Sequence, residues 1–304
     1  MEKVKIGLPR SLFYYYHGTL WKGFFEELGH EVIVSPKTNP EIMKLGTLLA
    51  NDEMCLSFKN FLGHVKYLEG KCDCILVPRI DNYGSANQTC TNFLAAYDIV
   101  SNLIETPILN YNIALTDHED EQFAFSMLGN VFHHSKKEID DAYQKAKQKE
   151  QILWKRKRKQ NEKNLKMKGI KLLFVGHPYN LYDAMIGEPL AQLFQEHEVT
   201  ILYCDAFPKT VTAKLSEKLS QTLYFKYNKE NIGSIELLKH QIDGVVFLTT
   251  FPCGPDSLVN ELVMRKIKLP YLNFIIDDVS SMTGFETRIE SFLDILVERN
   301  QLHE

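Results

Sequence analysis

Short, continuous apolar runs alternate with amphipathic helical stretches, and the whole series occurs twice. In the first half KVKIGL, EVIVS, CILVP and PILNY are separated by helical periodicity near Leu20–Leu28, Glu41–Ala50, Glu53–Leu68 and Asn92–Ile104. In the second half KLLFVG, VTILYC, GVVFLTT and PYLNFII are separated by periodicity near Ala184–Gln195, through about His240, and near Ser257–Arg265, and a closing helix is expected near Glu286–Glu298. A strand that is apolar at every position must be covered on both faces, which is the condition of a parallel sheet between helical layers. Strand–helix alternation then implies right-handed crossovers. The expected fold class is α/β: two flavodoxin-like (Rossmann-like) parallel-sheet domains related by a pseudo-repeat and joined by a long helix. The expected boundaries are 1–118 and 169–304 for the two domains, with 119–168 as a connecting helical segment.

The length of 304 residues suits two domains of ordinary size. The connecting segment carries the basic run KRKRKQNEKNLKMK, which reads as the solvated face of a helix. The formal net charge of −4 gives no electrostatic footprint for nucleic acid or an anionic membrane surface. No apolar run approaches the roughly 18 residues of a spanning helix. The N-terminus enters a strand pattern without an apolar signal core. A soluble cytoplasmic protein is expected.

Six cysteines occur, Cys55, Cys72, Cys74, Cys90, Cys204 and Cys253, and none forms a C-x-x-C pair. Zinc ribbons and thioredoxin-type redox motifs are therefore poor fits, and a disulfide framework is not expected in the cytosol. Ligands of open α/β sheets bind beyond the carboxyl ends of the strands. Cys90 and Cys253 follow the third strand of their respective halves, at equivalent places. Cys55, in NDEMCLSFKNFLGHV, falls in the first turn of a helix expected to be capped by Asn51 or Asp52. At a helix start the dipole and open N–H groups favour a thiolate. Gly254 and Pro255, directly after Cys253, suit a ligand loop, glycine by allowing close approach and proline as the first residue of a helix.

The remaining cysteines read differently. Cys72 and Cys74 open a strand at the opposite edge and read as small hydrophobes. Cys204 ends a second strand at the ligand edge and stays open as a fourth ligand; its counterpart in the first half is Ser35. The first turns of the two halves, GLPRSLF and GHPYNLY, are neither dinucleotide fingerprints nor phosphate loops, and no H-E-x-x-H or G-x-S-x-G motif is present. A cysteine nucleophile would need a histidine partner, for which His64 and His177 are the candidates. A nucleophile, metal ligands brought together by the fold, and unrelated packing thiols all remain open on the residues alone.

The stretches IGLPRSLFYYYHGTLWKGFFEELGHEVIVSPKTN, DEMCLSFKNFLGHVKYL, GHPYNLYD, FPCGPDSLVNEL and TRIESFLDIL, spread over nearly the whole chain, resemble the 2-hydroxyacyl-CoA dehydratase iron–sulfur family. They are most similar to its domain of unknown function that accompanies the dehydratase activases. The resemblance implies a 4Fe–4S cluster held by Cys55, Cys90 and Cys253, with its fourth iron open. It implies an ATP-dependent activase or reductase as partner, a homologous subunit or a homodimer, and a CoA thioester or other small molecule as electron acceptor. It leaves the reaction open between a dehydratase-like lyase and a cluster-dependent reductase. The alternative is a non-catalytic binding or regulatory module that partners the activase.

Overall fold

The computed structural model describes residues 3–278 and 284–301. It divides into two compact units, residues 1–155 with 224–226 and residues 156–223 with 227–304.

The first unit runs β1 (Lys5–Leu8), α1 (Tyr14–Glu27), β2 (Glu31–Val34), α2 (Pro40–Leu49), α3 (Leu56–Leu68), β3 (Cys74–Asn82), α4 (Thr91–Ser101), β4 (Ile108–Ala114), α5 (Glu121–Val131) and the first part of α6 (Lys136–Leu165). Its four strands are all parallel in the order β2-β1-β3-β4. This is the flavodoxin-like order, and right-handed crossovers place α3 and α4 on one face and α1 on the other. Phe24 meets Phe125 of α5 with ring centroids 4.7 Å apart, and Trp21 meets Tyr111 of β4 at 5.3 Å, so the α1 face is filled by aromatic rings.

The second unit takes the rest of α6, then β5 (Lys171–Val175), α7 (Pro178–Leu181), α8 (Gly187–Glu196), β6 (Thr200–Tyr203), α9 (Lys209–Leu215), α10 (Lys226–Leu238), β7 (Gly244–Thr250), α11 (Gly254–Met264), β8 (Tyr271–Ile276) and α12 (Phe285–Gln301). Its sheet repeats the parallel order, β6-β5-β7-β8. Strand β7 is buried at all seven positions, as a central strand covered on both faces must be. Each phenylalanine such as Phe174, Phe194 or Phe274 that leaves water here contributes about 1.5–3 kcal/mol of hydrophobic transfer.

The expected fold class, two flavodoxin-like parallel sheets among helices, is what the chain forms. The expected single helix of the connecting segment is instead broken between α5 and α6. His133 takes a left-handed φ of 58°, and the His134 N–H bonds the Gly129 carbonyl at 3.2 Å, closing α5. A capping box restarts the chain. The Ser135 N–H donates to Glu138 Oε2 at 2.8 Å, and the Glu138 N–H returns to Ser135 Oγ at 3.3 Å.

Candidate functional site

In the first unit Cys55 is itself the N-cap of α3, with extended backbone (φ −63°, ψ 150°), rather than a residue of its first turn. Asn51 instead folds the approach, its Oδ1 accepting the Glu53 N–H at 3.0 Å. Helix α3 is held to α2 by glycine: a Cβ at Gly46 would stand 1.9 Å from the Lys59 carbonyl, and one at Gly63 would stand 2.0 Å from the Ile42 carbonyl. Only two hydrogens fit at that crossing.

His64 anchors the same helix lower down. It is fully buried, with Nδ1 2.8 Å from Ser35 Oγ and Nε2 3.1 Å from Thr38 Oγ1. Burial, and then the neighbouring Arg10 charge, lower its pKa to about 3, so the ring is neutral. Ser35 directly follows β2, so His64 marks the level of the sheet edge. Cys55 lies nine residues before it, roughly 14 Å further out along the helix at 1.5 Å per residue.

Cys90 is the N-cap of α4, again with extended backbone (φ −71°, ψ 143°). Its height comes from the length of β3, which continues to Asn82 although its last pair with β1 is Gly7↔Ile75. The chain then turns back. Thr89 donates its N–H to the Asp81 carbonyl at 3.0 Å and its hydroxyl to the Ile80 carbonyl, so Cys90 lies beside the far end of β3. The segment Tyr224–Lys226 braces this loop: Gln88 N–H donates to the Tyr224 carbonyl at 2.9 Å, and Lys226 N–H donates to the Gln88 carbonyl at 3.1 Å. Helices α3 and α4 are neighbours on one face of the sheet. The first unit therefore brings two cysteine N-caps to adjacent helix starts, both beyond the carboxyl ends of the strands.

In the second unit Cys253 is the N-cap of α11 and follows the third strand, the place that Cys90 holds in the first. A Cβ added at Gly254 would meet nothing within 4 Å, so the space beside Cys253 is open. One turn on, Asp256 is buried and accepts three bonds: His177 Nε2–H at 3.0 Å, Asn228 Nδ2–H at 2.8 Å and the Thr249 hydroxyl at 3.1 Å. Burial alone would raise its pKa. The His177 charge and these three donors outweigh burial and hold the carboxyl below the usual range. His177 is the N-cap of α7 and stacks on Tyr179, centroids 4.8 Å apart and planes 6° from parallel. Periodicity places His177 at a loop after a strand but gives no partner, because Asp256 lies 79 residues away. An aspartate in the first turn after Cys-Gly-Pro is the only local sign of it.

The other cysteines differ in environment. Cys204 is 2% exposed, and its thiol donates to the Gly176 carbonyl at 3.2 Å and to Asn231 Oδ1 at 3.5 Å. Burial, then the Asp205 charge, push its pKa up, which favours the protonated thiol. Cys74, in β3 at the amino edge, is pushed up to about 12 by burial, and Cys72 is raised for the same reason. Cys55, Cys90 and Cys253 are half-buried, and none of them caps its own helix through its sulfur. No described cysteine is in a disulfide. Each of Cys55, Cys90 and Cys253, taken by itself, is a half-buried soft sulfur at a helix start, the kind of donor that a thiophilic metal accepts, and open space adjoins Cys253 at Gly254. Among the described residues no three His, Cys, Asp or Glu side chains are gathered closely enough to hold a metal ion. Among them, too, no helix is long and apolar enough to cross a membrane.

Residues 5–207 match the model of the CoA enzyme activase uncharacterised domain (DUF2229), and the chain belongs to that activase-related family. No curated protein matches the sequence. Among solved structures, the Streptococcus pneumoniae AdcAII protein is 10% identical with a TM-score of 0.33, covering 97% of this chain and 98% of that one. Zn(II)-bound AdcA from Streptococcus pneumoniae is likewise 10% identical with a TM-score of 0.31, covering 99% of this chain and 57% of that one. Likeness at this level does not establish a common fold.

Proposed function

We propose that this activase-related chain is an iron–sulfur protein of the 2-hydroxyacyl-CoA dehydratase family. In this reading Cys55, Cys90 and Cys253 hold one 4Fe–4S cluster. The chain would then take part in ATP-activase-driven, low-potential electron transfer to, or reduction or dehydration of, a small or CoA-linked substrate. The observation that carries the reading is positional. Cys90 and Cys253 are N-caps at equivalent places in two repeated sheets, and Cys55 caps the helix beside Cys90.

When bound, the cluster would supply a one-electron donor. The protein's part is to favour thiolates at the three helix starts and to offer N–H groups to the cluster's negative sulfurs. Cys204, buried and favoured as the thiol, is left out of the ligand set, so three cysteines would hold the cluster and one iron would carry no protein thiolate. The buried Asp256–His177 pair fixes the first turn of α11 and thereby the aim of Cys253. An activase is the electron-delivering partner.

The test is EPR spectroscopy of anaerobically reconstituted, dithionite-reduced protein, with and without a 2-hydroxyacyl-CoA. A reduced-cluster signal that changes on adding the thioester supports the reading. A cluster signal indifferent to every CoA ester would instead favour a module that only partners the activase.

A further inference from the structure

Strand β4 is the open edge of the first sheet, pairing with β3 on one side only. The Ile75 N–H bonds the Pro107 carbonyl, so alternation along the strand turns the backbone groups of Ile108, Asn110 and Asn112 outward. Ala114 has the same parity, and it exchanges two backbone bonds with Glu119 on that outer side. Beside this edge lies a groove of about 360 Å³ between β4 and α5. Its helical wall is a stripe of exposed apolar side chains at i, i+4 and i+8: Phe123 (44% exposed), Met127 (49%) and Val131 (56%).

The second unit closes the matching edge. Asn273 of β8 is the counterpart of Asn110, because the Val245 N–H bonds the Pro270 carbonyl as Ile75 bonds Pro107. There the Arg288 guanidinium donates to the Asn273 carbonyl at 2.8 Å and lies over the Phe274 ring at 4.6 Å. A charged side chain laid on an edge strand is a common way to block further pairing. At Asn110 none of the described residues makes a corresponding bond.

We propose that the β4 edge and the α5 stripe form an interface with a second copy of this chain. The two β4 strands would pair antiparallel about Asn110 and extend the sheet across a two-fold axis. Charge selects this occupant. Asp117 and Asp120 lie where β4 ends and α5 begins, whereas Lys136 and Lys137 follow the end of α5, and all four are exposed. Because α5 runs back along β4, a two-fold axis sets the acidic end of each copy against the basic end of the other. Glu138 is turned onto the Ser135 N–H and hydroxyl, while Asp140 and Asp141 come a turn later in α6. The same operation sets Met127 against Met127 and Phe123 against Val131, a self-complementary apolar seam.

The experiment is light scattering on the full chain at tens of micromolar. The unaltered protein is expected at twice its 35.2 kDa mass. Asn110→Pro removes only an outward N–H, so β3–β4 pairing survives while edge pairing fails. Met127→Lys changes an exposed side chain and opposes two charges across the axis. Both variants are expected to be monomers with unchanged circular dichroism. Asp117→Lys alone should weaken the dimer, and adding Lys136→Glu with Lys137→Glu should restore it. A monomeric parent protein, or a dimer that survives Met127→Lys, overturns the proposal.

Discussion

The Nε2 atom of His177 stands 3.0 Å from Oδ1 of Asp256, and both residues are buried, at 5% and 3% exposure. Asp256 is one turn after Cys253, so this pair fixes the start of a helix whose N-cap is the ligand proposed in the second unit. Breaking a buried pair strands its partner and costs about 3–5 kcal/mol. Asp256→Asn should therefore lower unfolding stability in urea by roughly that amount, whereas Cys253→Ser should change it far less. Because the folded carboxyl is held low, its contribution is present above the unfolded pKa and is lost as pH falls through the folded value.

His64 gives an acid-sensitivity of the opposite origin. The unfolded ring binds a proton below its ordinary pKa of 6.5, and the folded ring resists it until about 3. Between those values the unfolded state carries the extra proton, so stability falls with acid by about 1.4 kcal/mol per pH unit. Replacing His64 with Gln, which can still bond Ser35 or Thr38, should flatten stability against pH in this window. An unchanged acid slope would show that His64 is not the titrating group.

The α2–α3 crossing couples packing to the site. Gly63→Ala forces a methyl against the Ile42 carbonyl, so the helices must separate. Overpacking of this kind costs about 1–3 kcal/mol, and here it also displaces the helix that starts at Cys55. The variant is expected to unfold at lower urea concentration and to bind less iron at the temperature where it remains folded. A comparable methyl at Gly254 meets open space. Gly254→Ala should keep the stability of the iron-free protein and lose iron only if the cluster approaches that backbone closely.

Much of this was legible from the strands. The apolar runs of β3, β5 and β7 announce burial on both faces, and the repeated order places Cys90 and Cys253 alike because both follow the third strand. The S-x-x-E box at Ser135 was also present in the sequence. Helix-favouring composition on both sides of it, apolar in α5 and basic and polar in α6, hides the break, since periodicity reports propensity and not the left-handed turn at His133. Asp256 was illegible for another reason: its role depends on His177, Asn228 and Thr249, which only the sheet brings together. The Gly46–Gly63 crossing that packs α3 on α2 is likewise a contact between helices, which local sequence does not encode.

The central claim, a cluster held by three helix-start cysteines, is tested most directly by iron and acid-labile sulfide analysis of anaerobically reconstituted protein and six single Cys→Ser variants. The account predicts a brown protein with about four irons per chain, the content of one cubane cluster. It predicts sharp iron loss in Cys55→Ser, Cys90→Ser and Cys253→Ser, because a hard hydroxyl replaces a soft thiolate. Cys72→Ser, Cys74→Ser and Cys204→Ser should keep their iron. A colourless, iron-free parent protein, or equal loss from all six substitutions, would contradict it.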